Sequence, residues 1–180
     1  MKNHLFALTL AVLGFALTAC TTTPNSPAER QSLVTSAAET TEIFLRNDPS
    51  LQELIDDSYA YAVFPSIGRG GAGIGGAYGR GIVYERGQHV GYCDVTQATV
   101  GFQLGGQAFR QLIFFRDESA LRRFKHDDLH LSAQATAVAA TAGASADADY
   151  ERGVMVFTLA RGGLMYEASI GGQRFTYQPK

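Results

Sequence analysis

The chain has 180 residues, enough for one domain of ordinary size, and its 46% hydrophobic and 18% charged content excludes a disordered tail. Fifteen basic and seventeen acidic side chains give a net charge of −2, so the chain lacks the basic excess typical of nucleic-acid-binding proteins. Its two cysteines are too few for the disulfide framework of a small secreted protein.

The N-terminal segment predicts a secretory signal that ends at a lipidation site. Residues 5–19 are almost entirely apolar, a stretch shorter than the ~20 residues of a membrane-spanning helix. The segment ends in Leu17–Cys20, which resembles the lipobox of bacterial lipoproteins, where acyl chains such as palmitate are attached to the cysteine. We expect residues 1–19 to be a signal peptide and Cys20 to be the lipid attachment site. The alternative is a plain signal peptide followed by an unmodified cysteine.

An acylated Cys20 would hold the protein in a bacterial cell envelope without a transmembrane helix. Thr21 rather than Asp follows this cysteine, and resemblance to sorted lipoproteins then favours the outer membrane, facing the periplasm or the cell surface. Residues 20–25 form a lipidated tether, and residues 26–180 form the domain. Cys93 is then the only side-chain thiol left for the folded part, and we expect it to be a buried core residue.

Two helices are predicted at the start of the domain. Ser26, Pro27 and Glu29 are typical of a helix start, since serine caps the helix and proline suits its first position. Apolar residues at helical spacing continue this helix to about Arg46. Its slight acidic excess favours packing on the domain over lying in a membrane surface. A second short helix is predicted from Asp48 to about residue 57.

The pattern then changes to the alternation typical of strands. An apolar run at 60–64 predicts a strand that stops at Pro65, and a hairpin turn is predicted at Arg86–Gln88. A helix from Asp117 to about His126 begins with acids and ends with bases, in keeping with the helix dipole. The remaining predicted strands are at 82–85, 90–92, 100–104, 109–115, 154–159, 164–170 and 174–177. Turns are predicted at 161–163 and 171–172, and 131–148 is left unassigned.

These elements predict an α+β domain. Two N-terminal helices and one mid-chain helix would pack against a strongly curved, mostly antiparallel β-sheet. Closure of that sheet into a barrel remains open, because strand number and register do not follow from the pattern alone.

Two motifs resemble known kinds of site, but their sequence context supports neither site. Residues 71–76 match the spacing GxGxxG, but β-forming residues follow where a nucleotide-binding loop needs a helix. A metal-dependent hydrolase is the weaker alternative, with two histidines and two aspartates as its ligands: His126, Asp127, Asp128 and His130. Their spacing matches no known mechanistic site, so neither an enzymatic activity nor a cofactor is predicted.

Arginines beside glycine are the candidate binding residues. A guanidinium can hold a phosphate in a two-pronged hydrogen bond, while the amides of a tight turn form a concave anion nest. The arginines in such positions are Arg69, Arg80, Arg161 and Arg174. The basic end of the mid-chain helix adds a second patch made of Arg122, Arg123 and Lys125. The alternative is that arginines in tight turns are simply solvated.

An ordered series of glycine blocks resembles the SYLF domain, also called the Ysc84 actin-binding family. The blocks lie at 64–81, 100–107 and 161–172, and the resemblance covers roughly Leu33–Tyr177. It implies a non-enzymatic domain that binds phospholipids, notably phosphoinositides in eukaryotic members, and actin in some yeast members. The family usually has a basic residue where Arg69 stands, and Arg161 matches a basic or polar position of its last block.

We therefore expect an envelope lipoprotein that binds anionic, phosphoinositide-like phospholipid head groups through glycine-flanked arginines. Actin is not expected as a partner of a protein held in a bacterial envelope. The alternative is a structural lipoprotein whose sheet or Ala-rich segment docks a protein partner.

Overall fold

The structure is a computed structural model that describes residues 24, 26–126, 137–139, 150–161 and 172–180. Its helices are α1 (Pro27–Asn47), α2 (Leu51–Asp57) and α3 (Glu118–Lys125). Its strands are β1 (Ala60–Glu85), β2 (Gln88–Phe115), β3 (Ala137–Ala139), β4 (Val154–Arg161) and β5 (Gln173–Pro179). The α+β class is confirmed, with two helices before the sheet and one between its strands.

Some sequence predictions fall outside the described residues. They are the signal segment, the lipidation site Cys20, three of the four candidate metal ligands, and the strand and turns between 162 and 171. Within the described part of the chain, no helix is both long and apolar enough to cross a membrane.

Side-chain caps fix where α1 and α3 begin. The Ser26 hydroxyl accepts a hydrogen bond from the Glu29 amide at 3.2 Å, and Pro27 occupies the first turn of α1. The Asp117 carboxylate accepts one from the Ala120 amide at 2.9 Å and begins α3. Each cap satisfies an amide that the helix itself leaves without an acceptor, which confirms both predicted helix starts.

β1 and β2 form one long antiparallel hairpin. Its turn uses positive φ angles at Arg86 (50°) and Gly87 (75°), the geometry of the two-residue turns that match strand twist. The prediction that a strand stops at Pro65 is wrong, since β1 runs through it. A break in register between Phe64 and Ile67 places Pro65 in a bulge, where proline's missing N–H is tolerated.

β2 is the central strand of the sheet. β5 pairs antiparallel with its first half, β4 pairs antiparallel with its second half, and β3 adds to β4 in parallel. Side chains alternate between an inner face, which packs against Phe124 and Leu121 of α3, and an outer face, which packs against Ala37 and Phe44 of α1. The sheet therefore separates two hydrophobic cores.

The hairpin folds back on itself rather than extending. A straight strand of the 26 residues in β1 would be about 85 Å long. Instead, Phe64 of β1 reaches Phe175 of β5 with ring centroids 5.9 Å apart, and the amides of Gln111 and Gln173 exchange hydrogen bonds of 3.1 and 3.3 Å. The two halves of the hairpin thus face each other across the inner core.

The two halves of β1 meet at a seam, where Gly79 lies against Ser66 and Ile67. A β-carbon on Gly79 would lie 2.8 Å from the Ser66 carbonyl oxygen and 2.6 Å from Ile67 Cγ1, so the approach requires glycine. No strand ladder joins β1 to itself across this seam in the described sheet. The sheet is strongly curved, as predicted, and is not closed into a barrel.

Cys93 lies in the inner core and is 5% exposed. Burial, followed by the nearby Asp94 charge, raises the pKa of its thiol well above the ordinary value. The prediction of a buried core thiol is confirmed.

We expect Gly79→Ala to destabilise the fold by about 1–3 kcal/mol, because the added methyl group overpacks the seam against backbone atoms. Gly68→Ala is the matched control in the same strand, since its β-carbon would meet nothing within 4 Å. Urea unfolding followed by circular dichroism measures both variants. Equal stability of the two would show that the seam tolerates a side chain.

Candidate functional site

A groove of about 450 Å³ lies between α1 and the outer face of the sheet. Its sheet wall has three arginines, Arg80, Arg110 and Arg161, beside the bulge at Pro65 and Ser66. Its helix wall is a strip of α1 with Pro24 at the N-terminal end. The residues of that strip are Glu29, Ser32, Leu33, Ser36, Glu39, Thr40 and Ile43. We call this space the basic groove.

The fold brings the three arginines together from separate parts of the sheet. Arg80 belongs to the second half of β1, and the flanking Gly79 and Gly81 let that half approach the first half at the seam. In the β2–β4 ladder, Arg110 pairs with Leu159 and Ala108 pairs with Arg161, so the two arginines are diagonal neighbours on one face. Strand register and the seam therefore position the basic wall.

Arg80 is held at the rim of the groove. Its guanidinium lies 3.8 Å from the Glu29 carboxylate of α1, and its Nε donates to the Tyr78 hydroxyl at 3.1 Å. The hydrogen bond to Tyr78 raises the pKa of Arg80 and leaves the charge in place. The pair with Glu29 links the sheet wall to the start of the helix.

Arg110 and Arg161 are two like charges side by side. Neither makes an ion pair with an acid in the described part of the chain. Burial and, after it, the charge of Arg161 lower the pKa of Arg110, which is half-buried. Arg110 is partly desolvated and is repelled by the exposed Arg161 beside it, and an anion bound between the two guanidiniums would offset both costs.

Arg110 is not among the binding residues predicted from the sequence, because no glycine flanks it. Phe109 and Gln111 are its neighbours in β2. The available signal was the alternation of the strand, which places Arg110 on the same face as Leu112 and Phe114, two residues that pack under α1. An arginine on an apolar strand face needs polar neighbours or a bound ligand, because burying an unpaired charge is costly.

Two of the predicted arginines lie elsewhere in the sheet. Arg174 is exposed on β5, opposite Thr96, outside the residues that line the groove. Arg69 is on the inner face and 8% exposed; its guanidinium lies over the Phe109 ring at 5.8 Å and donates to Gln97 Oε1 at 3.4 Å. Burial lowers the pKa of Arg69.

The predicted basic patch on α3 makes contacts within the protein. Arg122 pairs with Glu118 at 3.7 Å, and Arg123 donates to the Arg152 carbonyl at 2.6 Å. Lys125 pairs with the Glu85 carboxylate at 2.7 Å and lies 5.2 Å from the centre of the Tyr177 ring. These partners compete with any ligand, so a phosphate role for the patch stays a prediction.

Among the described residues, no three His, Cys, Asp or Glu side chains gather as they would around a metal ion. The candidate ligands Asp127, Asp128 and His130 lie outside those residues. The described part of the chain therefore offers a basic groove rather than a metal centre as its candidate site.

Comparison with known proteins confirms the family resemblance. Residues 96–179 match the family model Ysc84, described as a Las17-binding protein actin regulator. The chain is also 27% identical over 155 residues to "Beta cell expansion factor A" of Aeromonas veronii. That alignment covers 84% of this chain and 59% of the relative, so the chain spans only part of the relative's length. The resemblance suggests a domain that interacts with lipids or proteins.

We expect the Lys125–Glu85 pair to contribute about 1 kcal/mol, since it is mostly shielded from solvent and Tyr59 also donates to Glu85. Lys125 and then Tyr59 lower the pKa of Glu85, so this stability is present above the ordinary glutamate pKa of 4.5 and is lost as pH falls through the folded pKa. Glu85→Gln should be less stable than the wild type at pH 7, with the difference vanishing in acid. Urea unfolding across pH tests this, with Glu42→Gln in an exposed pair as control.

We expect inorganic phosphate to stabilise the protein more than chloride does at equal ionic strength, because an anion neutralises Arg110 and Arg161. At a phosphate concentration ten times its Kd the gain is about 1.4 kcal/mol, a rise of a few degrees in Tm. Arg110→Gln should remove this gain, whereas the control Arg174→Gln should keep it. A gain that is the same in chloride, or unchanged in Arg110→Gln, would contradict an anion site in the groove.

Proposed function

We propose that the protein is a non-enzymatic envelope lipoprotein that binds anionic phospholipid head groups in the basic groove. The observation that carries the proposal is the pair Arg110 and Arg161, two adjacent guanidiniums without an acidic partner in the described chain. Guanidiniums bind phosphates through paired, charge-assisted hydrogen bonds.

The hydroxyl groups of the groove support a phosphate ligand. Ser66 lies on the sheet wall, and Ser32, Ser36 and Thr40 lie on the helix wall. Hydroxyls donate to phosphate oxygens and accept from head-group hydroxyls, so they suit a polar head group more than an acyl chain. The apolar part of the lining comes from Leu33, Ile43, Pro24 and Pro65.

The predicted lipid anchor supports a membrane ligand. Pro24 lines the groove, and Cys20 precedes it by four residues. Four residues of extended chain span at most about 14 Å. Acyl chains on Cys20 would therefore hold one end of the groove beside the bilayer surface, where phospholipid head groups are abundant.

The proposal moves the binding role from the seven sequence-predicted residues to a smaller set. Arg80 and Arg161 remain, and Arg110 joins them. Arg69 is buried on the other face of the sheet, and Arg174 is exposed away from the groove, so neither is part of the proposed contact.

We expect the full chain with Cys20→Ser, which cannot be acylated there, to co-sediment with anionic phosphatidylglycerol vesicles and to be released by added salt. The double variant Arg110→Gln/Arg161→Gln should bind about tenfold or more weakly, because each lost charge-assisted bond contributes about 1.5 kcal/mol or more. All variants share the same N-terminus, so differences between them report the groove.

The matched control is Arg174→Gln/Arg46→Gln, which removes the same charge from two exposed positions outside the groove. Binding that falls equally in both double variants would indicate diffuse attraction and contradict a groove site. Retention on a protein partner in cross-linked cells, with no dependence on lipid charge, would favour the docking alternative.

A further inference from the structure

The helix wall of the basic groove carries negative charge. Glu29 and Glu39 lie on the strip of α1 that faces Arg80, Arg110 and Arg161. Ten residues separate the two glutamates, so they are about 15 Å apart along the helix axis. Glu29 is paired with Arg80 at one end of the groove, and Glu39 lies further along the same wall.

Glu39 and the two neighbouring arginines do not neutralise each other. Glu39 is exposed and makes no ion pair with any described residue. The pKa of Arg110 responds to burial and to Arg161, and no carboxylate contributes to its shift. An unpaired carboxylate and two unpaired guanidiniums thus line one groove with open space between them.

Such a groove matches a ligand that carries both signs of charge. We propose that the preferred head group has an ammonium beside its phosphate, as phosphoserine does, with the anionic groups on Arg110 and Arg161 and the ammonium on Glu39. This inference rests on the proposed function and names the head-group class. The charges also match, because the groove has one positive charge in excess and a phosphoserine diester has one negative charge.

A simple anion would pair with the arginines of the groove and would leave Glu39 without a partner. It would satisfy the arginines and would leave Glu39 facing added negative charge, which is unfavourable at close range. An ammonium placed against Glu39 turns that repulsion into attraction. The carboxylate on the helix wall therefore selects against amine-free anions and in favour of amine-bearing ones.

The test compares two lipids of equal net charge. The full chain with Cys20→Ser is titrated with vesicles containing phosphatidylserine or phosphatidylglycerol in the same neutral background. We expect about threefold or tighter binding to phosphatidylserine, the size expected of one partly exposed ion pair. Glu39→Gln should lose this preference, because it removes both the attraction of the carboxylate for the ammonium and its repulsion of an amine-free head group, whereas Glu42→Gln, outside the groove on the same helix, should keep the preference.

A second arm uses soluble probes to separate a membrane ligand from a free one. O-phosphoserine and 3-phosphoglycerate share a phosphate and a carboxylate and differ in an ammonium that replaces a hydroxyl. Greater thermal stabilisation by phosphoserine, lost in Glu39→Gln, would support the head-group class, and the vesicle arm shows whether the same preference holds on a membrane.

The outcomes distinguish the two proposals. Equal binding to both vesicles, or a preference that survives Glu39→Gln, overturns the amine-bearing ligand and leaves anionic lipid binding standing. Failure to bind either vesicle overturns the proposed function and this inference with it. Phosphoserine selectivity in solution without vesicle binding overturns the membrane as its source.

Discussion

The close approach of the two halves of β1 is the constraint on which the rest of the structure depends. Gly79 has no room for a β-carbon against Ser66 and Ile67, and Gly81 has none against the Val63 carbonyl at 2.7 Å. These contacts allow a very long hairpin to double over into a compact sheet. They also create the seam, over which α1 packs and beside which the basic groove opens.

The two faces of the sheet have different roles. The inner face is a core of aromatic and aliphatic side chains with α3 at its side, and it includes the buried Arg69 and the Gln111–Gln173 pair. The outer face is apolar beneath Phe44 and becomes polar towards the groove. Because side chains alternate along a strand, a single residue step separates an arginine of the groove from a phenylalanine of the core, as Arg110 and Phe109 show.

The groove is lined by residues from inside and from outside the segment that matches the family model. Arg110 and Arg161 belong to the matched residues 96–179, whereas Arg80, Glu29 and Glu39 come before them. A relative could therefore retain the pair of arginines and differ in the helix wall. In that case the proposed phosphate contact would be shared, and the proposed choice of head group would depend on the first helix.

Local chemistry was readable from the sequence. The Ser26–Pro27 helix start, the acid-to-base order of α3 and the Arg86–Gly87 turn each depend on a few adjacent residues. The burial of Cys93 was expected of a lone thiol in an oxidising envelope. The glycine blocks likewise indicated the curved sheet and the family. Tertiary structure decided the rest, because the seam joins residues far apart in the chain. The tertiary structure determined that β1 continues through Pro65 as a bulge and that Arg69 is buried. It also paired Lys125 with Glu85. It placed Arg110, which has no glycine beside it in the sequence, next to Arg161. Strand register sets such neighbours, and register depends on the packing of the whole sheet rather than on any short run of residues.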